Sequence, residues 1–134
     1  MPGKILIIKE KALQLGSKSY NLLEKVLYQV CQLDPDCVAI INVGDHIPDT
    51  DVIIAVGESA HSWLTGIKGI MKFAGTVQKM GSIPVVPITA PGYIEHNPNY
   101  MRQWAEHMQT AYNLSQGIKP KEATNQFIIV DNLD

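Results

Sequence analysis

The stretch Asp51-Val52-Ile53-Ile54-Ala55-Val56-Gly57-Glu58-Ser59-Ala60 decides the fold. Asp51 to Val56 is an apolar run after its first residue, and such runs form strands buried on both faces of a parallel sheet. Gly57 turns the chain, and Glu58-Ser59 opens a short helix through Trp63. A strand running straight into a helix is half of a βαβ unit. Upstream, Lys4 to Ile8 and Cys37 to Val43 are two more buried strands. Between them Leu22, Leu23, Val26, Leu27, Val30 and Cys31 recur at helical spacing, with Ser17 or Ser19 as N-cap and Asp34-Pro35-Asp36 as the stop. Downstream, Gly66 to Gly81 reads as a loop and Pro84 to Ile88 as a fourth strand, whose prolines suggest an edge or an early end. Thr89 to Pro98 reads as a proline-punctuated loop. Met101, Trp104, Ala105, Met108, Ala111, Tyr112 and Ser115 stripe a last helix that Gly117 ends.

The order β-α-β-β-α-β-α predicts an α/β fold: a small three-layer α/β/α domain on a four-stranded, mostly parallel sheet. Residues 1–117 form that domain; residues 118–134 are a linker and a strand, Phe127 to Val130, that adds to the sheet or opens a following domain. Both tryptophans, Trp63 and Trp104, fall at core spacing, and His61 and His107 read as helix-surface or half-buried residues.

The chain has 134 residues, 46% hydrophobic and 18% charged, with net charge −2. That balance builds a core and excludes global disorder. It gives no global support to nucleic-acid binding, so any DNA contact is local. No apolar run is long enough for a bilayer, and the N-terminal residues lack a signal-peptide pattern, which predicts a cytoplasmic protein without membrane partners. Cys31 and Cys37 cannot complete a zinc site or an iron–sulfur cluster, and they read as reduced core thiols. His46, His61, His96 and His107 have no metal-ligand spacing. No metal and no cofactor is expected.

Ligands of open α/β sheets bind beyond the carboxyl ends of the strands. Lys9-Glu10-Lys11, Asp45-His46, Gly57-Glu58-Ser59 and Thr89-Ala90-Pro91-Gly92 should meet there. Gly57-Glu58-Ser59 either offers helix N–H groups to a phosphate or is a tight turn with Glu58 on the helix dipole. Lys68, Lys72 and Lys79 either touch a DNA backbone or are solvated. Tyr93 lies in the last rim loop and is a better candidate than the tryptophans for base or DNA contact.

Three consecutive segments carry a family resemblance. Asp51 to Ala60 resembles the strand-turn-helix of single-domain uracil-DNA glycosylases, especially their bacterial, archaeal and phage iron–sulfur branch. Ile67 to Gly75 is similar to that family's next loop, with Phe73-Ala74-Gly75 where an Arg-Gly ending is usual. Ile83 to Pro98 is similar to its last strand and DNA-intercalating loop, Pro-Thr-x-His-Pro-Ser-Tyr-Leu-Leu-Arg-Asn-Pro. Pro87, Pro91, Tyr93, Asn97 and Pro98 match in register. The resemblance covers about Asp51 to Gly117; the first half fits loosely, placing Glu10 on the water-activating glutamate and Asn42 on the asparagine that reads uracil.

The departures shape what the resemblance implies. The family histidine, which stabilises charge on the departing uracil, falls on Ala90. The first turn lacks its Pro-Gly, the segment bearing the uracil pocket is nearly absent, and so are the cluster cysteines. The implied role is a catalytically impaired glycosylase-like module for DNA binding or for docking a replication or host protein. Glu10 is its candidate water activator, Ala90 the vacated histidine position, and His46 a weak substitute. Nucleic-acid contacts fall to Asn42, Gly57, Glu58, Ser59, Lys68, Lys72, Pro91, Gly92, Tyr93 and His96. The alternatives are an active glycosylase with altered residues, in which His46 or His96 replaces the histidine, and a protein-interaction or inhibitor domain. Phe127 to Asp134 is also similar to the strand opening the exonuclease region of phage A-family DNA polymerases, some of which carry a glycosylase-like domain before it.

Overall fold

The computed structural model describes residues 3–118. The expected strand at Phe127 to Val130, and the polymerase resemblance drawn from it, lie outside the described residues. Along the chain run β1 (Ile5–Lys9), α1 (Lys18–Glu24), a π-helical segment (Lys25–Val30) and a 3₁₀ turn (Pro35–Cys37). β2 (Val38–Asn42), β3 (Val52–Val56), α2 (Gly57–Thr65) and α3 (Ile70–Phe73) follow. β4 (Gln78–Met80), β5 (Ile83–Ile88), α4 (Pro91–His96), a 3₁₀ turn (Pro98–Tyr100) and α5 (Met101–Ser115) complete the fold.

The described residues form an α/β fold with one five-stranded mixed sheet in the order β2-β1-β3-β5-β4. The first four strands are parallel and β4 is antiparallel to β5. β1 and β3 are central and every residue in them is buried, as their unbroken apolar sequences require. Ile5, Ile7, Val52, Ile54, Val56, Val86 and Ile88 face a core shared with Tyr20, Leu23, Leu27, Trp104, Met108 and Ala111 of α1, the π-helical segment and α5. Leu6, Ile8, Ile53, Ala55 and Val85 face the other way onto Ala60 and Leu64 of α2. That second face is thinner, and Ile47 of the loop after β2 helps to cover it.

Several elements differ from the sequence-based expectation. The sheet has five strands rather than four, because Gln78–Met80 lies within the segment read as a loop. Gly81 and Ser82 turn it back on β5, with Met80 opposite Ile83 and Gly81 at φ +65°. β5 is therefore not an edge strand. Its Pro87 is tolerated because the carbonyl accepts from the Gly75 N–H at 2.7 Å, on the side away from β3. The missing Pro87 N–H would point to that same side, so no β3 bond is lost. Thr89 to Pro98 contains a helix, α4, with Pro91 pre-set at its first position.

The first helix starts where Ser17 caps it, its hydroxyl accepting from the Tyr20 N–H at 3.1 Å. It then widens into π-helix, which rotates Val30 out of the stripe and leaves it 59% exposed. The helix ends at Cys31–Gln32, ahead of Pro35, with Gln32 in the left-handed region at φ 59°. Cys31 is buried as expected, whereas Cys37 is only half-buried; both are free thiols.

Trp104 is fully buried, but Trp63 is 40% exposed. The buried stripe of α2 is Gly57, Ala60 and His61, and Trp63 points away from it. His61 is correspondingly in the interior, contrary to its reading as a helix-surface or half-buried residue. Its Nε2 is 2.9 Å from Gln78 Oε1, so β4 supplies the partner that makes its burial affordable. No helix among the described residues is long and apolar enough to cross a membrane.

Candidate functional site

The parallel order β2-β1-β3-β5 brings four carboxyl ends to one edge of the sheet. The chain reverses its direction of travel between β1 and β3, and the crevice outside such a point is where open α/β sheets hold ligands. A cleft of about 220 Å³ lies there, lined by Glu10, Ala12, Leu13, Ser19, Val56, Ala90, Pro91 and Gly92. It is smaller than the roughly 300–1,000 Å³ of most small-molecule sites.

Gly57 is the hinge of this cleft. Its φ of +89° suits glycine, and a Cβ there would lie 3.5 Å from both the Ala90 Cβ and Glu10 Oε2. Glu10, Gly57 and Ala90 thus converge although they come from three separate loops. Ala90 precedes α4, and its carbonyl accepts from the Tyr93 N–H at 3.0 Å. Thr89 is held from behind, its carbonyl accepting from Trp104 Nε1 at 2.9 Å.

The polar inventory of the cleft is short. Glu10 is half-buried and makes no side-chain hydrogen bond or ion pair among the described residues. Ser19 gives its hydroxyl proton to Glu95 Oε1 at 2.7 Å. The remaining lining side chains are apolar. The cleft therefore presents a carboxylate acceptor and no uncommitted side-chain donor.

The other predicted residues lie around this centre or away from it. Pro91 and Gly92 line the cleft, and Tyr93 is exposed beside them, edge-on to Tyr100 at 5.4 Å between ring centres. His96 is exposed at the end of α4, and His46 is exposed in the loop after β2; neither lines the cleft. Ser59 is exposed on the first turn of α2 and is likewise outside it.

Glu58 caps α3. Its carboxylate accepts from the backbone N–H groups of Gly69 at 3.1 Å and Ile70 at 3.0 Å. Those bonds, Ile70 first, hold its carboxyl below the usual range. Lys68 and Lys72 are exposed in the α2–α3 segment, the Lys72 ammonium 5.7 Å from the Phe73 ring centre.

Asn42 sits at the end of β2, opposite Lys9. Lys9 is only 5% exposed, and its ammonium donates to Asn42 Oδ1 at 2.7 Å. An ammonium has only protons to give, so this bond fixes which way the Asn42 amide faces. The Asn42 N–H is taken by Asp45 Oδ2 at 2.9 Å. The sequence places Lys9 at the rim with Glu10 but gives it no role of its own; the signal for its burial is a lysine in phase with the inward-facing Ile5 and Ile7. Ser19 and Glu95 were not anticipated either, because α4 was not.

Among the described residues no group of three or more His, Cys, Asp or Glu side chains is placed to hold a metal ion. Comparison with known proteins finds no family model that matches this chain and no curated protein that matches it.

Proposed function

We propose that this chain is a uracil-DNA glycosylase-like module that binds DNA without hydrolysing it. One observation carries the reading: Glu10 and Ala90 meet across Gly57 in a cleft without an uncommitted donor side chain. A carboxylate can orient water, but breaking an N-glycosidic bond leaves negative charge on the departing base. Ala90 gives that charge nothing, and removing one such donor costs about 100- to 1,000-fold in rate. The Tyr93-bearing helix α4 stands at the cleft mouth, where an unstacked base can meet it.

Protein docking is the second reading. An apolar groove of about 400 Å³ between the π-helical segment and α5, lined by Val26, Val30, Met101 and Ala105, favours it.

Fluorescence anisotropy with a labelled uracil-containing single strand at low salt separates the two. DNA binding predicts a Kd in the roughly 1–100 µM range of non-specific complexes. Absence of binding up to about 1 mM excludes the DNA reading and leaves docking.

A further inference from the structure

Among the described residues the one charged side chain lining the cleft is Glu10, whose carboxylate repels phosphate, so a bound strand must be gripped elsewhere. The segment 57–80 carries Lys68, Lys72 and Lys79 against one acid, Glu58, in a chain of net charge −2. Glu58 is engaged by the Gly69 and Ile70 N–H groups. None of the three lysines is ion-paired among the described residues, where the ion pair found is Arg102–Glu106.

The segment is one tied block. Glu58 joins the first turn of α2 to α3, His61 joins α2 to β4 through Gln78, and the His61 and Phe73 rings lie 5.6 Å apart. From this block Trp63 is 40% exposed, Ile67 42% and Met71 50%. They come from the same α2–α3 stretch of chain as Lys68 and Lys72, and exposed apolar side chains grouped with cations are what a contact surface presents.

We infer that this block is a binding surface for single-stranded nucleic acid, which deepens and rests on the DNA-binding reading. Lys68 and Lys72 contact phosphates, and Trp63 stacks on a base with Ile67 and Met71 from the same stretch of chain; Lys79, between Gln78 and Met80 on β4, faces the other side of the sheet. Charge complementarity sets the ligand as a polyanion. The exposed indole selects an unpaired strand, whose bases have free π-faces, over a duplex, whose bases are stacked on one another.

The two tryptophans make the test direct, since Trp104 is fully buried and Trp63 is not. A labelled dT15 strand is titrated by anisotropy over a range of salt, and tryptophan quenching is followed in parallel. The expected result is quenching that disappears in Trp63→Phe and binding about 5- to 100-fold weaker in Trp63→Ala. In the Lys68→Gln/Lys72→Gln protein, the slope of log K against log salt shrinks by about 0.7 per lost phosphate contact. Thermal melts confirm that these surface variants stay folded. Parent-like affinity and salt slope in the variants would overturn this assignment while leaving DNA binding in place. A parent that binds no dT15 would overturn both, as would binding to phosphatidylserine vesicles or a poly-glutamate peptide in its stead.

Discussion

Trp104 holds the floor of the cleft in place. Its indole N–H is the buried donor to the Thr89 carbonyl, one residue before Ala90. Trp104→Phe keeps most of the packing and leaves that carbonyl without its partner, so it should destabilise by about 1–3 kcal/mol in urea melts. Gly75 is equally constrained. It has φ +82°, and an added Cβ would run into the His107 ring. Gly75→Ala should cost about 1–3 kcal/mol from the backbone alone, with further loss as His107 is displaced. At this scale the sequence was a partial guide. Trp104 was legible as core because it sits in a stripe with Met108 and Ala111. Trp63 was not, because the two and a half turns of α2 carry too few apolar residues to reveal which side is buried. His61 was misread because the partner of its Nε2, Gln78, belongs to a strand that itself went unseen; its Nδ1 is buried without a partner. The convergence of Glu10 and Ala90 was legible through strand order, whereas the commitment of Ser19 to Glu95 needed coordinates.

Among elements, legibility followed length. β1, β3 and α5 have five to fifteen residues with clear patterns. α3, β4 and α4 have three to six residues, too few for a period, and depend on tertiary partners. The dependence of α3 is on Glu58. Glu58→Gln should accelerate hydrogen exchange at the Gly69 and Ile70 amides while leaving α5 amides unchanged. Because the folded carboxyl is held below its ordinary value, the cap is fully present above the unfolded glutamate pKa of about 4.3 and is lost as pH falls through the lower folded value. Unchanged exchange in the variant would remove Glu58 as the cap. The outer edge of β2 is managed locally. The Asn42 N–H goes to Asp45 and the Val38 N–H to the Pro35 carbonyl, so this edge is closed to another strand at both ends.

At the scale of the whole molecule, the described residues form an α/β sheet whose reversal between β1 and β3 places a small cleft bearing the Glu10 carboxylate at one edge, with a lysine-bearing block built from α2 to β4. Its acid stability has a second contributor above the range of Glu58. Burial pushes His107 below its ordinary value, with Glu106 opposing. A histidine that resists protonation when folded costs nothing at high pH and destabilises as pH falls below about 6.5, where the unfolded chain takes up the proton first. Melts across pH 5 to 8 should show that slope, and His107→Gln should flatten it. The order of the first half, βαββ, was legible from its apolar runs; β4 was hidden by its polar residues Gln78 and Lys79. The most direct test of the central claim is single-turnover uracil release from single-stranded and mismatched DNA, with Glu10→Gln as control. The account predicts no release above that control. Release by the parent that vanishes in Glu10→Gln would contradict it and make the cleft a working glycosylase.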